Sequence, residues 1–404
     1  MEIDQACKSV EEKVISWRRD IHQHPELGNR EFRTAKLIAE HLTMLGIEVK
    51  TGVAHTGVVG LLRGRNPSPV IALRADMDAL PVKEALDLPF ASKVTTIYDG
   101  REVPVMHACG HDAHVAILMG VAEVLSKMRE HLSGTVKFIF QPSEDSRPSG
   151  EDGGAELMIR EGVLDSPKVD AIFGLHVVPL HVGKIGVRAG GIMAAVDNFW
   201  ITVRGRGTHG GLPWSGVDPI PVSAQIVLGL QTIISRQIDI SKAPAVITIG
   251  RIRGGEQTNI VASEVEIAGT IRTFEPGDRI DIQRRIERVS IKTAESAGAS
   301  AEVVFSSGGA PVTYNDPDLT NRMYPILERV AGSGNVLTPP PLPVGEDFSF
   351  YQQKIPGLFF LLGVAPKDAD LRKVALNHSP YFFIEESGLL LGVKALSHLA
   401  FSFK

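Results

Sequence analysis

The stretch Val70-Ile-Ala-Leu-Arg-Ala-Asp-Met-Asp78 decides the fold class of this chain. Residues 70–73 form a short apolar run without a polar interruption, which is typical of a β-strand covered on both faces. Such strands belong to α/β proteins, in which helices cover both sides of a mostly parallel sheet. The carboxylates of Asp76 and Asp78 follow directly, so the stretch predicts acidic side chains at the end of a buried strand.

Two further predicted buried strands are followed by side chains that can bind a metal or carry a proton. Residues 136–140 precede Gln141-Pro-Ser-Glu-Asp145, and residues 171–175 precede His176. In open α/β sheets, functional sites collect at the carboxyl ends of the strands. The same pattern in three strands therefore predicts a functional site at that edge of the sheet.

Helices are predicted between these strands and at the end of the chain. Apolar residues recur at helical spacing in residues 32–45 and in about 112–128, which indicates amphipathic helices. A last buried strand is predicted at residues 358–363, and a helix from about residue 385.

The middle of the chain has a different pattern. Alternating and helical segments follow one another in the order β-α-β-β-α-β, which is that of the split ferredoxin-like unit; they are residues 198–203, 219–234, 245–251, 265–273, 280–297 and 301–305. This order predicts an inserted α+β domain at residues 190–312. Residues 1–189 and 313–404 would then form the first domain.

The composition is that of a globular protein. The chain has 404 residues, of which 43% are hydrophobic and 22% charged, which excludes a disordered chain and a coiled coil. A net charge of −5 argues against binding nucleic acid through a basic field. Two cysteines give no disulfide framework, and the acidic N-terminal residues do not resemble a signal peptide. Because no apolar run approaches the roughly 18 residues that span a bilayer, we expect a soluble, cytoplasmic protein without membrane partners.

The densest group of metal-binding side chains is His107-Ala-Cys-Gly-His-Asp-Ala-His114. Imidazole and thiolate are good ligands for Zn²⁺, and carboxylate also suits Mn²⁺. Cys109 and His111 lie two residues apart in a predicted tight turn, so both can face one cation. The alternative is a helix N-terminus where these side chains only cap the backbone, but their density favours a metal site.

The adjacent carboxylates Glu144 and Asp145 predict a division of labour. Neighbouring residues of an extended backbone point in different directions. One carboxylate can therefore bind a metal while the other accepts a proton from water. A solvated acidic loop is the alternative interpretation, and a rival pair, Glu151 and Asp152, follows seven residues later.

Two single histidines complete the candidate ligands. Taken singly, His176 and His378 are each more simply interpreted as structural histidines than as ligands. Together with Cys109, His111 and Asp145 they make five ligands, enough for two cations that share a water. Two such metals polarise a carbonyl and lower the pKa of water from 15.7 toward about 7.

The sequence resembles the M20 metallopeptidase and amidohydrolase family, in the branch of aminoacylases, hippurate hydrolases, indole-acetyl-amino-acid hydrolases and carboxypeptidases. The resemblance covers nearly the whole chain and rests on motifs in a fixed order: residues 18–26, 73–81, 107–114, 141–145, 174–177, 344–348 and His378. It implies a mixed-sheet, metallo-exopeptidase-like catalytic domain. It also implies that the inserted ferredoxin-like domain is a lid and a dimerisation surface.

The resemblance assigns roles to individual residues. The ligands of a two-metal site match Cys109, His111, Asp145, His176 and His378. Glu144 matches the general base, and Asp78 matches a carboxylate that orients the ligands. In the inserted domain, His209, Asn259 and Arg272 match residues that hold the substrate carboxylate or the developing oxyanion.

Three positions depart from the family pattern. Asp145 stands where this branch usually has Glu, which shortens the ligand by one methylene. Residues 146–152 look like an insertion that reshapes the pocket rim. Trp214 stands where relatives commonly have His, and we expect it to pack rather than to contact an apolar substrate group.

These inferences predict a metal-dependent amidohydrolase that cleaves N-acyl amino acids or short peptides. We expect two divalent ions, Zn²⁺ or Mn²⁺, with Co²⁺ and Ni²⁺ as alternatives, and a homodimer or higher homo-oligomer. A carboxypeptidase or an N-acetyl-diamino-acid deacetylase is the alternative within the same fold. A non-catalytic protein with a structural metal site is the alternative from a different class.

Overall fold

A computed structural model describes residues 2–306 and 309–404, which form two compact units. Unit 1 comprises Met1–Gly190, Tyr314–Pro340 and Phe350–Lys404. Unit 2 comprises Gly191–Thr313 and Pro341–Ser349. Residues 341–349 thus cluster with unit 2, whereas the sequence placed them in the first domain. The functional division into a catalytic domain and a lid stays a prediction.

The described residues contain ten α-helices. In chain order they are α1 (Glu2–Lys8), α2 (Glu11–Gln23), α3 (Phe32–Met44), α4 (His111–Lys127), α5 (Gly154–Arg160), α6 (Pro219–Gln237), α7 (Pro276–Ser296), α8 (Pro317–Ala331), α9 (Phe348–Gln352) and α10 (Leu389–Ser402). None of these helices is both long enough and apolar enough to cross a membrane.

The same part of the chain contains eighteen strands. They are β1 (Glu48–Val53), β2 (Gly57–Arg63), β3 (Val70–Asp76), β4 (Thr95–Tyr98), β5 (Arg101–Pro104), β6 (Thr135–Gln141), β7 (Ala171–His181), β8 (Ile185–Gly186), β9 (Gly190–Met193), β10 (Ala195–Arg204), β11 (Thr208–His209), β12 (Ala245–Gly254), β13 (Ile260–Val261), β14 (Glu264–Thr273), β15 (Ser300–Phe305), β16 (Thr313–Asn315), β17 (Val336–Leu337) and β18 (Gly357–Ala365).

Unit 1 is built on a mixed eight-stranded sheet. Its strand order is β1-β2-β6-β3-β7-β18-β8-β17. The central strands β6, β3, β7 and β18 are parallel, whereas β2 is antiparallel to β6 and to β1. Every residue of β3, β6 and β18 is buried, as expected for strands covered on both faces. The predicted α/β class with a mixed sheet is therefore confirmed.

Helix α4 is the central helix of unit 1. It contacts β3, β6 and β7 as well as α2 and α10, so it is covered by the sheet on one side and by helices on the other. Its residues from His111 to Leu125 are all buried. Since its first residue is His111, the helix places the His107–His114 motif at the carboxyl ends of the parallel strands.

Unit 2 has the predicted β-α-β-β-α-β order, formed by β10, α6, β12, β14, α7 and β15. The four strands make an antiparallel sheet in the order β12-β14-β10-β15, which is the ferredoxin-like arrangement. Alternate residues of β10 are buried, so one face of the sheet packs against both helices. Strand β12 is an edge strand.

Candidate metal centre

Three neighbouring strands of unit 1 bring the predicted site together. β6, β3 and β7 are parallel, so their carboxyl ends lie at the same edge of the sheet. Asp78 follows β3, and the turn at residues 142–146 follows β6. His176 was predicted to come after the third strand but lies inside it, because β7 continues to His181.

A glycine allows both ends of the Cys-Gly-His sequence to face the centre. Gly110, immediately before α4, has a φ of +93°, in the left-handed region that favours glycine. A Cβ at this position would lie 2.4 Å from Cγ2 of Val177. The tight turn and the close approach to β7 therefore both require glycine between Cys109 and His111.

The five predicted ligands converge on one cluster, in which Cys109, His111 and His176 are buried and His378 is exposed. The Sγ atom of Cys109 is 3.3 Å from Nε2 of His176 and 3.2 Å from Nε2 of His378. Nε2 of His378 is 3.2 Å from Oδ1 of Asp145. The other oxygen, Oδ2 of Asp145, is 3.7 Å from Nε2 of His111. Sequence segments that are far apart along the chain thus meet at one point.

The cluster contains two overlapping groups of potential ligands. Cys109, His111 and His176 form one group, and their ligand atoms all lie within 4.8 Å of one another. Cys109, Asp145 and His378 form another group with the same spacing. Because Cys109 belongs to both groups, the arrangement suits two adjacent cations.

Backbone carbonyl oxygens orient two of the histidines. Nδ1 of His111 lies 2.8 Å from the carbonyl oxygen of Asp78, and Nδ1 of His176 lies 2.7 Å from that of Val177. A carbonyl oxygen can only accept, so Nδ1–H donates in each ring. The lone pair of each neutral ring is then on Nε2, which faces the cluster and is available to a metal.

The side chains present fit metal ions. Nε2 of His111 and Oδ2 of Asp145 are buried and form no hydrogen bond with any described residue. Leaving such polar atoms unpaired is costly in free energy. Burial raises the pKa of the Cys109 thiol well above its usual range, and the charges of Asp145 and Glu144 raise it further. A bound cation would reverse this effect, because it stabilises the thiolate and satisfies both unpaired atoms.

The charges around His111 and Asp145 stabilise each other. Burial alone would lower the pKa of His111, but the carboxylates of Asp76 and Asp78 hold this pKa well above its ordinary value. Burial alone would raise the pKa of Asp145, but its hydrogen bond with His378 and the charge of His111 lower it. The centre is therefore rich in carboxylate charge, as a cation site requires.

His114 belongs to the same sequence motif but does not act as a ligand in this geometry. Its Nδ1–H donates to Oδ1 of Asp76, and its Nε2 accepts the backbone N–H of Val177 at 2.9 Å. Both ring nitrogens are therefore occupied. This side chain connects β3 to β7 beside His176.

The acidic residues near the centre differ in position. Glu144 has a largely buried side chain, and its Oε2 is 3.9 Å from Nε2 of His111. Asp78 accepts the backbone N–H groups of Glu144 and Asp145 at 3.0 Å each. Glu151 instead pairs with Arg30 at 2.6 Å, so the structure brings Asp145 and not Glu151 to the cluster.

The predicted substrate-binding residues lie in unit 2. His209 and Asn259 are exposed and adjacent, because Gly210 N–H donates to the carbonyl oxygen of Asn259 at 2.7 Å. Arg272 is on β14, half-buried, and donates to the carbonyl oxygen of Ile271 at 3.0 Å. Their roles in substrate binding stay predictions.

Trp214 does not pack, contrary to our expectation. It lies in a short 3-10 helix, Pro213–Ser215, and 77% of its surface is exposed. None of the residues 213–215 is buried. Residues 146–152, which the resemblance marks as an insertion, follow the Glu144-Asp145 turn, and the hydroxyl of Tyr98 donates to the carbonyl oxygen of Arg147 at 2.6 Å.

Two positioning groups were not assigned a role from the sequence. Asp76 is fully buried and contacts both Arg74 and His114. Asp112, next to His111, accepts hydrogen bonds from Arg18 at 2.8 Å and from His22 at 2.8 Å. In the sequence, Asp76 and Asp112 are marked only as charged residues in an apolar strand and in the histidine-rich motif. This charge does not reveal which side chains they bind.

Comparison with known proteins agrees with this geometry. Residues 72–402 match the model of Peptidase family M20/M25/M40. The chain is 41% identical over 398 residues to thermostable carboxypeptidase 2 of Saccharolobus solfataricus, covering 98% of this chain and 96% of the relative. It is 39% identical over 397 residues to N-acetylcysteine deacetylase of Bacillus subtilis, covering 98% of each.

A solved structure has the same architecture over almost its full length. A Bacillus subtilis protein described as a dinuclear metal binding peptidase from the M20 family superimposes with a TM-score of 0.82. It is 36% identical to this chain, and the match covers 98% of both chains. With the ligand groups described above, this likeness supports a centre for two divalent cations.

The fold and the site define a metal-dependent hydrolase of amide or peptide bonds. The chain belongs to Peptidase family M20, which confirms the resemblance found in the sequence. Its substrates are small molecules or peptides with an amide bond, and the hydrolase prediction is confirmed rather than the structural-metal alternative.

Proposed function

We propose that this enzyme hydrolyses the amide bond of N-acyl amino acids or short peptides at the cluster around Cys109. The observation that supports the proposal is the convergence of one thiol, three imidazoles and one carboxylate beside Glu144. Structural zinc sites are closed by four ligands, commonly Cys and His, whereas catalytic sites keep a position for water or substrate. The mixed set of five donors with adjacent acids fits the second type.

The proposed ligands are Cys109, His111, Asp145, His176 and His378. Thiolate and imidazole favour Zn²⁺, while the carboxylates also suit Mn²⁺, and Co²⁺ or Ni²⁺ suit the imidazoles. When bound, two such cations polarise the substrate carbonyl and lower the pKa of water. The chain itself must then supply a base, an orienting framework and substrate contacts.

Glu144 is the proposed general base. In this role its carboxylate takes a proton from the attacking water and returns it to the leaving amine. Its backbone N–H donates to Oδ1 of Asp78 at 3.0 Å, which fixes the start of the side chain. The second oxygen of Asp78 accepts the N–H of Asp145 at 3.0 Å. Asp78 therefore orients the proposed base and a proposed ligand at the same time.

Unit 2 supplies the proposed substrate contacts and oligomer surface. His209, Asn259 and Arg272 carry donors suited to a substrate carboxylate or an oxyanion. Edge strand β12 exposes Val246 and Ile252, and an exposed apolar edge favours pairing with a second copy. We therefore propose a homodimer. Light scattering of the wild type should give twice the chain mass, and Ile252→Lys should lower this mass toward that of one chain. A wild type with the mass of one chain would contradict the proposal.

The proposed substrates are tested by a hydrolysis screen. N-acetyl amino acids, N-benzoyl amino acids and dipeptides are incubated with enzyme loaded with Zn²⁺, Mn²⁺ or Co²⁺. We expect release of the free amino acid from at least one class, with activity lost on chelation and restored by metal. The names of the relatives, a carboxypeptidase and an N-acetylcysteine deacetylase, support both peptides and N-acetyl amino acids. Activity unaffected by complete metal removal would contradict the proposal.

A further inference from the structure

Four consecutive backbone N–H groups of the turn at residues 143–146 donate to two carboxyl groups. Ser143 N–H donates to Oε1 of Glu31 at 2.9 Å. The N–H groups of the next three residues donate to Asp78 at 3.0, 3.0 and 3.4 Å. This turn carries Glu144 and Asp145. Two side chains from other parts of the chain thus fix its backbone, and the sequence assigned a role only to Asp78.

Glu31 stands where a helix cap is expected, yet its side chain has a different use. It is the residue before α3, but its carboxyl group makes no capping hydrogen bond. It turns inward, is fully buried, and accepts a short hydrogen bond from the hydroxyl of Thr56 as well as the one from Ser143. Three separate segments of unit 1 therefore meet at this carboxyl group.

The site of contact is conformationally demanding. Ser143 has a φ of +56°, which side-chain-bearing residues rarely adopt. Such strained residues persist where the surrounding structure over-determines them. The Ser143 hydroxyl also donates to the carbonyl oxygen of Ser146 at 2.8 Å, which closes the turn. The hydrogen bond to Glu31 holds the strained residue at the beginning of this closed turn.

Burying the carboxyl group of Glu31 costs free energy that its hydrogen bonds must offset. Burial raises its pKa to about 8, and the charge of Asp78 contributes in the same direction. A protonated carboxyl group can accept the Ser143 N–H on one oxygen, and its other oxygen can donate to or accept from the Thr56 hydroxyl. Glutamine has the same donor and acceptor pattern, whereas methionine has a similar length and neither strong donor nor strong acceptor.

We propose that Glu31 is a positioning residue for hydrolysis, which holds the Ser143 N–H and thereby fixes the turn that carries Glu144 and Asp145. This inference rests on the proposed roles of those two residues. The side chain of Glu31 forms its hydrogen bonds with Thr56 and Ser143, neither of which is a proposed ligand. Its effect is transmitted through the backbone of four residues.

The test compares Glu31→Met and Glu31→Gln with the control Glu26→Met. Glu26 is a half-buried carboxylate whose side chain accepts the N–H groups of Arg33 and Thr34 at 2.9 Å each and the hydroxyl of Thr34 at 3.0 Å, all within α3. It therefore controls for the loss of a carboxylate that accepts backbone N–H groups away from the turn. We expect Glu31→Met to lower kcat on the order of 10- to 100-fold with little change in KM, since small displacements of reacting groups cost this much. Glu31→Gln should retain most of kcat, and Glu26→Met should retain it fully.

A second measurement tests the anchoring of the turn without relying on enzyme activity. Hydrogen exchange of the full chain, followed by mass spectrometry of the peptide with residues 143–146, should be faster in Glu31→Met and unchanged in Glu26→Met. If the wild type cleaves no amide but exchange responds as expected, the proposed function fails, whereas the anchoring of the turn by Glu31 stands. Wild-type kcat and wild-type exchange in Glu31→Met would overturn the inference.

A milder variant covers the case in which Glu31→Met does not fold. Thr56→Val removes one hydrogen bond to Glu31 and preserves the shape of the side chain. We expect a smaller loss of kcat and moderately faster exchange in the turn. If Thr56→Val leaves both quantities at the wild-type level, the inference is also overturned.

Discussion

Two acidic pairs, Glu144-Asp145 and Glu151-Asp152, have the same composition and stand seven residues apart, yet they occupy different environments. Asp145 is largely buried, with Oδ1 3.2 Å from Nε2 of His378. Asp152 is exposed and pairs with Arg160 at 2.6 Å. The first pair lies on a turn anchored to a strand end, and the second on a loop. Backbone anchorage, not residue type, distinguishes the carboxylate pair at the candidate centre from the solvated one.

The electrostatic partners of the two pairs reinforce this distinction. Hydrogen bonds from Arg30 and Asn29 lower the pKa of Glu151 to about 2, so its charge is already balanced by protein groups. Asp145 instead shares its surroundings with the carboxylates of Asp78 and Glu144, and its Oδ2 has no hydrogen bond in the described residues. An excess of negative charge with an unpaired oxygen attracts a cation, whereas a balanced ion pair does not.

The comparison is tested most strongly at Glu144. Glu144→Gln removes the proton acceptor and keeps the size of the side chain. We expect kcat to fall by about 10²- to 10⁴-fold, the contribution typical of a general base, while bound metal is unchanged. Steady-state kinetics and elemental analysis measure the two quantities, and Glu151→Gln is the matched control. Near-normal turnover by folded, metal-loaded Glu144→Gln would contradict the assignment.

The second test compares metal binding at Asp145 and Glu151. Asp145→Ala removes a proposed ligand, so we expect metal affinity to fall more than the roughly 10- to 100-fold that loss of an outer partner costs. Glu151→Ala should bind both metals as the wild type does. Metal per chain after dialysis against a weak chelator separates the two variants. The reverse result would move the ligand to the loop at residues 146–152.

A third test uses the pH dependence of stability at Glu31, which anchors the first pair. Its pKa is raised from 4.5 to about 8 in the folded chain, so folding favours the protonated form. The stability contributed by this group is complete below pH 4.5 and is lost as pH rises through 8. Glu31→Gln keeps the neutral form, so its stability relative to wild type should increase by on the order of a few kcal/mol between pH 4.5 and 8.

Denaturant unfolding of both metal-free proteins at several pH values measures this difference. Because all other titrating groups are common to the two chains, their effects largely cancel in the comparison. A difference in unfolding free energy that stays constant between pH 4.5 and 8 would show that Glu31 is ionised in the folded chain.

The smallest effect is expected at the second pair. Glu151→Gln removes an exposed ion pair with Arg30, and such pairs contribute about 1 kcal/mol or less. We expect a small decrease in the unfolding free energy and a kcat within about twofold of wild type. Thermal unfolding and steady-state kinetics check both values. A large loss of kcat would mean that the loop, and not the anchored turn, controls the centre.

Much of the fold follows from local sequence patterns. The apolar run at the start of β3 predicted the α/β class, and the alternation in β10, β12 and β14 predicted the ferredoxin-like order, because these patterns depend on which faces are buried. The mixed character of the sheet was implied by the family resemblance. Strand ends also predicted the neighbourhood of Asp78 and Glu144. The family assignment and the hydrolase class, both inferred from the order of motifs, are confirmed.

Other features depend on contacts between distant segments and could not be predicted. Residues 341–349 join unit 2, although their sequence has no pattern that indicates a partner. Nothing in the sequence around Glu31 indicates a role, and only its contact with Ser143, 112 residues away, reveals one. His114 has the composition of a ligand, but its two hydrogen bonds remove it from the set. Such outcomes depend on tertiary packing, which no local spacing records.

The central claim is that donors from separate segments share two adjacent cations. Diffraction from crystals grown with Mn²⁺, recorded for its anomalous signal, tests it most directly. We expect two peaks about 3.5 to 4 Å apart, with Cys109 between them and His111, His176, Asp145 and His378 around them. Peaks at Glu151 or Asp152, or fully loaded crystals without two peaks beside Cys109, would contradict the account.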